Sequence, residues 1–395
     1  MPPHSFPQST AIPKRRICHV ITRMIVGGAQ ENTLLTVRGL LEKGHEVELV
    51  TGPTEGPEGR LLQSVSVPGL NVVEIPELKR PVRPVTDLRA YHALLRHFRE
   101  HAFDVVHTHS SKAGILGRLA ARRCGCPLVV HTVHGQPFHP YETWWKNQLF
   151  IAAERWAAKR CDHIIAVARA MVDQCVAAGV APADKYTVIY SGMRTDTFAN
   201  TPPDTGLRTQ LGIPDGVPVI GKIARLFDLK GHDLLLAAAP AVVRAFPDTR
   251  FLLVGDGNLR PQLEQEVKDR SLENNVIFAG LVPPADIPRY LSLMDALVHL
   301  SLREGLPRTV VQALASGVPA VAFALDGTPE VIEHERTGYL CTPESVSEVR
   351  DALLALLRDP ANARRMGRLG QSRVCSQFDW RRMVDQIETL YAKLS

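Results

Sequence analysis

An α/β protein of two Rossmann-like domains is what this sequence leads one to expect, on three grounds. Short apolar strands alternate with amphipathic helical stretches in both halves, and their ends run into turns rich in glycine, histidine and charge. At about 100–200 residues per domain, 395 residues make two domains of ordinary size. The hydrophobic share of 45 % and charged share of 22 % are those of a globular chain. No apolar run approaches the ~18 residues of a membrane helix. The opening MPPHSFPQSTAIP has four prolines and no apolar core of a signal peptide, so residues 1–13 are expected to be a disordered tail and the protein cytoplasmic. Seven scattered cysteines fit reduced thiols better than disulfides or zinc.

Charge divides unevenly. Residues 1–200 hold 24 Lys+Arg against 17 Asp+Glu, and residues 201–395 hold 22 against 24. The basic N-terminal half points to an anionic partner, an acidic membrane surface among them.

In chain order, the first strand is Ile17–Ile21, followed by a turn at Gly27 and Gly28 where backbone can approach a ligand, then an amphipathic helix and a second strand. The proline-rich stretch 76–84 is a loop. A helix capped by Thr86 or Asp87 is expected over Thr86–His101, with Leu88, Tyr91, Leu94, Leu95 and Phe98 facing the core. FDVVHTHSSKAGILGRLAARR and PLVVHTVHGQPFHP each read as a buried strand ending in polar residues, His107–Ser111 and His131–Gln136. His134, at a strand end beside Gly135, favours function. His107, His131 and His139 read as packing residues, and no metal-ligand spacing recurs. A helix over Tyr141–Arg160 carries Trp144, Trp145, Phe150 and Trp156, core fillers first and a lipid-facing set second. Strand Ile164–Val167, helix Arg169–Ala178 and strand Tyr186–Ile189 follow, and Phe198–Thr205 is the linker.

The second half repeats the alternation. VPVIGKIA leads into a turn bounded by Arg225 and Lys230, with Gly231 opening a helix. Phe251–Val254 ends in Gly255-Asp256-Gly257, and Asn275–Ala279 ends in Gly280-Leu281-Val282. Strand Ala296–Leu300 runs into SLREGLPRTVVQALASGVP, where Pro307 suits a first helical position and Gly317 a stop. That helix directs the N–H groups of Arg308 and Thr309 above the strand ends, where a phosphate is favoured. Glu304 and Gln312 lie eight residues apart, about two turns at ~3.6 residues each, and can share one cleft. Further elements are Val318–Phe323, a helix opened by Asp326–Pro329, Val346–Leu357 and a terminal helix in FDWRRMVDQIETLYAKL.

The central stretch, with GTPEVI at Gly327–Ile332, resembles the retaining glycosyltransferases of GT-B family 4, whose signature is two glutamates separated by seven residues; here the second is Gln312. The resemblance implies a GT-B fold: an acceptor domain over 14–197, a nucleotide-sugar domain over 206–374 facing it across a cleft, and residues 375–395 crossing back to the first domain. It implies that Arg225 and Lys230 clamp the donor diphosphate, that Glu304 holds sugar hydroxyls, and that His134 reaches the reacting centre. Gly27, Gly28, Gly255, Val282, Arg308, Thr309 and Gln312 would complete the donor site, while His109, Ser110, Ser111 and Lys112 face the acceptor.

A guanidinium and an ammonium suit a departing phosphate, and no Asp-x-Asp occurs, so no metal or other cofactor is expected. The HTHSSKAGILGR and HTVHG variants look most like bacterial capsule or exopolysaccharide enzymes, which implies a UDP-sugar donor, a polyprenyl-diphosphate-linked saccharide acceptor and peripheral contact with an acidic membrane. No nucleic-acid partner is expected. A sugar-nucleotide epimerase and a catalytically silent nucleotide-sugar scaffold are the alternatives.

Overall fold

The computed structural model describes residues 12–54 and 61–395, with Ser64 by its backbone alone. The expected tail, up to residue 11, lies outside the described residues. Among the described residues, thirteen strands form two sheets. The first comprises β1 (Arg16–Ile21), β2 (Glu46–Thr51), β3 (Asn71–Glu74), β4 (Val105–His109), β5 (Leu128–Val133), β6 (His163–Ala166) and β7 (Tyr186–Val188), in the order β3-β2-β1-β4-β5-β6-β7. The second comprises β8 (Val219–Ile223), β9 (Arg250–Val254), β10 (Val276–Gly280), β11 (Ala296–His299), β12 (Ala320–Phe323) and β13 (Gly338–Cys341), in the order β10-β9-β8-β11-β12-β13. β1 pairs in parallel with β2 and β4, and β8 with β9 and β11. Both sheets therefore reverse their order beside their first strand, between β1 and β4 and between β8 and β11. Open parallel sheets leave a ligand crevice at such a point, beyond the strand carboxyl ends.

The central strands form because they are buried on both faces and read as nearly unbroken apolar runs. Ile17, Cys18, Val20 and Ile21 of β1 are fully buried, as are Phe251, Leu252, Leu253 and Val254 of β9 to within 2 %. Ile220, Phe251, Leu253, Ala296 and Val298 of the second sheet share one core with Leu235, Leu236, Ala239 and Val242 of the helix His232–Ala245.

Two compact units emerge. One holds the described residues up to Thr132 with Ala153–Ile164 and Val384–Ser395; the other holds Val133–Ala152 and Ile165–Met383. This grouping cuts across the boundary expected at Phe198–Thr205, a stretch that itself includes the ends of two short helices, Thr195–Ala199 and Thr205–Gln210. Within the first unit, Tyr391 donates or accepts at His107 Nδ1 (2.5 Å), and Glu388 meets Lys43 (2.9 Å) and His45 (3.0 Å).

Three local expectations change. The helix expected from Thr86 starts at Pro84, because Pro84 fits the first turn and Asp87 turns back to accept from the Arg83 N–H (3.1 Å). Its Leu88 is 57 % exposed, so the buried stripe is Ala90, Leu94, Leu95 and Phe98. On the helix Trp144–Ala158, Trp144 (77 %) and Trp145 (60 %) are exposed rather than core fillers, since the buried side of that helix is supplied by Ala157 and Ala158. Among the described residues no helix is long and apolar enough to cross a membrane.

Candidate functional site

The crevice end of β8 and β11 gathers most of the charge. After β8 the chain makes the turn Arg225–Lys230 and enters its helix through Gly231, which has φ 64° and lies so close to β11 that a Cβ would come 2.3 Å from the Leu300 carbonyl oxygen. Only glycine fits there without strain. The turn sets Lys230 against the loop that follows β11: its Nζ donates to Glu304 Oε1 (2.6 Å) and to Ser301 Oγ (3.1 Å). Burial pushes the Glu304 carboxyl up, but Lys230 and His299 outweigh it, leaving the group below its ordinary range and ionised at neutral pH. His299 Nε2 stands 3.6 Å from the same carboxylate, while its Nδ1 meets Thr309 Oγ1 (3.1 Å). The first helical residues above this loop are Arg308 and Thr309, since Pro307 occupies the N-cap and accepts from Val310 (3.0 Å) and Val311 (3.2 Å).

His134 reaches this loop through its backbone. A Cβ on Gly305 would lie 2.4 Å from the His134 carbonyl oxygen, so the residue after Glu304 has to be small. Burial and the Arg308 guanidinium push the His134 imidazole down to about 3. It is neutral wherever an enzyme works. Arg308 itself donates to Ser191 Oγ (3.0 Å) and the Gly192 carbonyl (3.2 Å).

Beside Glu304 opens a cavity of about 230 Å³ lined by Gln136, Phe138, His139, Pro140, Tyr141, Met171, Gln174, Leu302, Arg303, Glu304, Leu325 and Asp326. Its wall is braced: Arg303 donates to the Gln136 carbonyl, Asp326 accepts from the Glu304 N–H (2.8 Å) and from Gln174 Nε2 (2.8 Å), and Gln136 Nε2 donates to the Met171 carbonyl (2.9 Å). His139, read from sequence as a packing residue, lines this cavity with a buried Nδ1 that has no partner. Its nearness to Glu304 had no sequence signal beyond the short step from His134. Glu330 was missed as well. Its carboxylate accepts from the N–H groups of Arg169 (2.8 Å) and Ala170 (2.9 Å), the first turn of the helix Arg169–Ala177, as a capping acid does.

The remaining predicted donor residues lie around the same sheet but are not all drawn together. Arg225 sets its guanidinium over the Phe227 ring (4.9 Å). Gly255 follows β9 at φ 137°, half-buried Val282 follows β10, and Gln312 is half-buried on the helix Arg308–Ala315. Gly27 and Gly28 open the helix after β1, in the other unit.

The predicted acceptor-side residues cap β4 and are mostly engaged. His109 Nε2 shares a hydrogen bond with His19 Nδ1 (2.9 Å), Ser110 Oγ with Thr22 Oγ1 (2.7 Å), and Lys112 Nζ donates to Asp87 (2.5 Å) and the Pro81 carbonyl. Ser111 is exposed. His107, buried beside them, uses Nε2 on Thr132 Oγ1 (2.7 Å) and Nδ1 on Tyr391. His131 bonds Thr108 Oγ1 (2.9 Å).

As for metal, the fold brings together what sequence spacing did not. His19, His107 and His109 hold ligand-type atoms within 4.8 Å of one another, and so do Glu48, His97 and His101. In the first group both nitrogens of His107 are already bonded, to Tyr391 and Thr132, so an ion there would displace one of those bonds. In the second, Glu48 is already paired with His97.

The comparisons with known proteins agree with this geometry. Residues 27–192 match the family described as glycosyl transferase 4-like domain, and residues 204–373 match glycosyl transferases group 1. The UDP-Gal:alpha-D-GlcNAc-diphosphoundecaprenol alpha-1,3-galactosyltransferase of Escherichia coli is 27 % identical over 382 residues, covering 96 % of this chain and 97 % of its own. Among solved structures, Anabaena HepE in complex with UDP is 25 % identical with a TM-score of 0.79, covering 95 % of this chain and 99 % of that one. The sucrose-phosphate synthase of Thermosynechococcus elongatus superposes with a TM-score of 0.84 at 22 % identity, over 96 % of this chain and 99 % of that one.

Proposed function

The chain is a glycosyltransferase of GT-B type, a glycosyl transferase 4-like domain followed by a group 1 domain, that uses a nucleotide sugar; on that premise we propose that it moves a sugar from a UDP-sugar to a lipid-linked saccharide, with retention at the anomeric carbon, in polysaccharide assembly. The observation that carries this reading is the Lys230–Glu304 pair beside the 230 Å³ cavity at the ends of β8 and β11. An ammonium that is already ordered can turn from the carboxylate to a diphosphate, and the freed carboxylate can then accept from sugar hydroxyls. The name of the Escherichia coli relative, with its UDP-galactose donor and diphosphoundecaprenol-linked acceptor, supports the choice of both substrates.

In the proposed step the anomeric carbon leaves the diphosphate oxygen and bonds to the acceptor oxygen on the same face. The acceptor proton passes to the departing phosphate oxygen, so no side-chain base is required. Lys230, Arg225 and the first amides of the helix Arg308–Ala315 oppose the charge that builds on the leaving group. Neutral His134 adds no like charge where the sugar becomes positive. No residue of this scheme calls for a metal. Ser111, exposed at the end of β4, is the free hydroxyl of the acceptor side, and exposed Trp144 and Trp145 supply an apolar surface for the inner face of an acidic membrane.

The test is incubation with UDP-galactose, UDP-glucose or UDP-N-acetylglucosamine and a synthetic polyprenyl-diphosphate-GlcNAc, with the product's anomeric configuration read by NMR. An axial product linkage from an axial donor supports the proposal. An inverted linkage refutes retention, and no transfer with any donor refutes the substrate class.

A further inference from the structure

Lys222 sits inside β8, opposite Leu253 of β9, and is 1 % exposed. It interrupts an apolar strand and shares the sheet face of Ile220, Phe251 and Leu253, which belong to the core of the second unit. Among the described residues no carboxylate or carbonyl accepts from its Nζ. The charged and titratable groups around it come from each neighbouring element: Lys230 from the turn after β8, His232 and Asp233 from the start of the following helix, His299 from β11 and Glu304 from the loop beyond. The one nearby carboxylate with a strong partner, Glu304, is taken by Lys230. His232 donates or accepts through Nε2 at the Arg225 carbonyl (3.1 Å), and its Nδ1 is buried without a partner.

A lysine in such a place has little to hold its charge. Burial disfavours the ammonium, Lys230 repels it, and Asp233 and Glu304 only partly restore it, so the amine is pushed down to about 7. Lys230 is the residue proposed to meet the donor diphosphate. A doubly negative group placed there would reverse the balance of charge around Lys222 without touching it.

We propose that Lys222 is a proton-uptake site linked to donor binding: buried inside β8, with Glu304 already taken by Lys230, the amine takes a proton from solvent when a diphosphate is held at Lys230. The inference rests on the donor reading given above. Its sign is fixed by linkage: a group whose basicity is raised in the bound state favours binding at low pH, and affinity falls as pH rises through the interval between the two basicities. Leaving Lys222 unprotonated without donor also means that the empty crevice does not carry a buried ammonium beside that of Lys230, which limits the cost of keeping the site dry.

The experiment is calorimetric titration of UDP, and of UDP-glucose, in buffers of different ionisation enthalpy. At about pH 7.5 the terminal phosphate of UDP, with a second pKa of ~6, is ionised, and UDP-glucose has no phosphate that titrates there. Wild-type protein is expected to take up roughly half a proton or more per ligand, and Lys222→Met to bind with essentially none. Between about pH 7 and 9 the wild-type affinity should fall up to roughly tenfold more than that of Lys222→Met. Lys222→Arg, which keeps its charge throughout, should also bind without uptake and guards against a methionine variant that folds poorly. His232 and His299, held near 3 and 4, would take up protons on the acid side of neutrality and so are separable by pH. UDP binding without proton uptake by the wild type overturns this proposal and leaves the donor reading intact, uptake that survives both substitutions overturns the assignment to Lys222, and failure of UDP, UDP-glucose and GDP to bind overturns the donor reading itself.

Discussion

Two polar clusters stand at equivalent places in the two sheets, one where β4 follows β1 in space and one where β11 follows β8. The first is made of imidazole rings. His19, His107 and His109 are buried, lie with ring centroids 4.4–5.2 Å apart and are bonded to one another, to Thr132 and to Tyr391. The second is made of ions, with Lys230 and Glu304 at 2.6 Å and Lys222 and His299 beside them. Hydrogen bonds that join neighbouring strands and Tyr391 fix the rings of the first cluster in one arrangement. The ion pair of the second can exchange partners when an anion arrives. The same strand topology thus frames a rigid wall in one unit and a responsive site in the other.

The widest gap between the two should appear in acid. His134, His232 and His299 of the second unit are held near 3, 3 and 4 by burial, and His19 of the first near 3. Their folded basicity lies below the unfolded value of ~6.5, so the unfolded chain binds more protons and stability falls as pH drops from there toward the folded values. Each such histidine contributes about 1.4 kcal/mol per pH unit in that window, or roughly 8 kcal/mol for three of them over two units. Hydrogen exchange near pH 4.5, corrected for intrinsic rate, is expected to show β8 and β11 losing protection before β1 and β4. Equal loss in both sheets would remove the distinction.

Breaking the ion pair comes next in size. Charge-assisted hydrogen bonds contribute ~1.5–3 kcal/mol, so Lys230→Ala should lower turnover roughly 10- to 200-fold if the contact tightens with leaving-group charge. It also removes the cation that holds Glu304 down, so the acid limb of the pH–rate profile should move to higher pH. Unchanged turnover with an unchanged profile would place Lys230 outside the site.

In the histidine cluster the matching change is Tyr391→Phe, which leaves the buried His107 Nδ1 without its hydroxyl. An orphaned buried polar atom costs about 1–3 kcal/mol, and thermal melting of the variant should fall by several degrees. No change in melting would mean that water replaces the hydroxyl.

Much of the fold could be read from the chain and rather less of the site. β1, β9 and β12 are apolar runs bounded by turns, and the start of the helix Arg308–Ala315 follows from Pro307, because these signals are local. Lys230 and Glu304 could be named from a family pattern, but not their mutual bond, which joins residues 74 apart. The His19–His109 bond spans 90 residues, and no spacing rule reports it. His139 looked like a packing residue because its unpartnered nitrogen and its cavity exist only after folding. Trp144 and Trp145 looked like core because aromatic residues usually are, and only the packed helix shows that its buried side is alanine. Lys222 did carry a signal: a parallel central strand should be apolar throughout, and a lysine inside VIGKI is the exception that marks it.

The smallest predicted effect lies at Gln312, where the chain departs from the paired glutamates it otherwise resembles. A carboxylate there can accept from two neighbouring ribose hydroxyls, whereas the amide offers one acceptor oxygen and two N–H donors, so one hydroxyl has to turn and accept. Charged acceptors give hydrogen bonds of about 1.5–3 kcal/mol against roughly 0.5–1.5 for neutral ones, and Gln312→Glu is expected to tighten UDP binding by about 1 kcal/mol, or severalfold. A competing term exists. Arg308 lies one turn earlier on the same helix, and a new carboxylate at 312 can draw it from Ser191 and Gly192, at a cost of the same order as a surface pair, ~0.3–0.5 kcal/mol. The ribose term is the larger, so the net sign should hold. If the glutamine instead marks a silent scaffold, restoring the carboxylate will not create transfer in a wild type that lacks it. Calorimetry of UDP with both forms decides the first point, and unchanged or weaker binding in the glutamate variant would show that position 312 does not face the ribose.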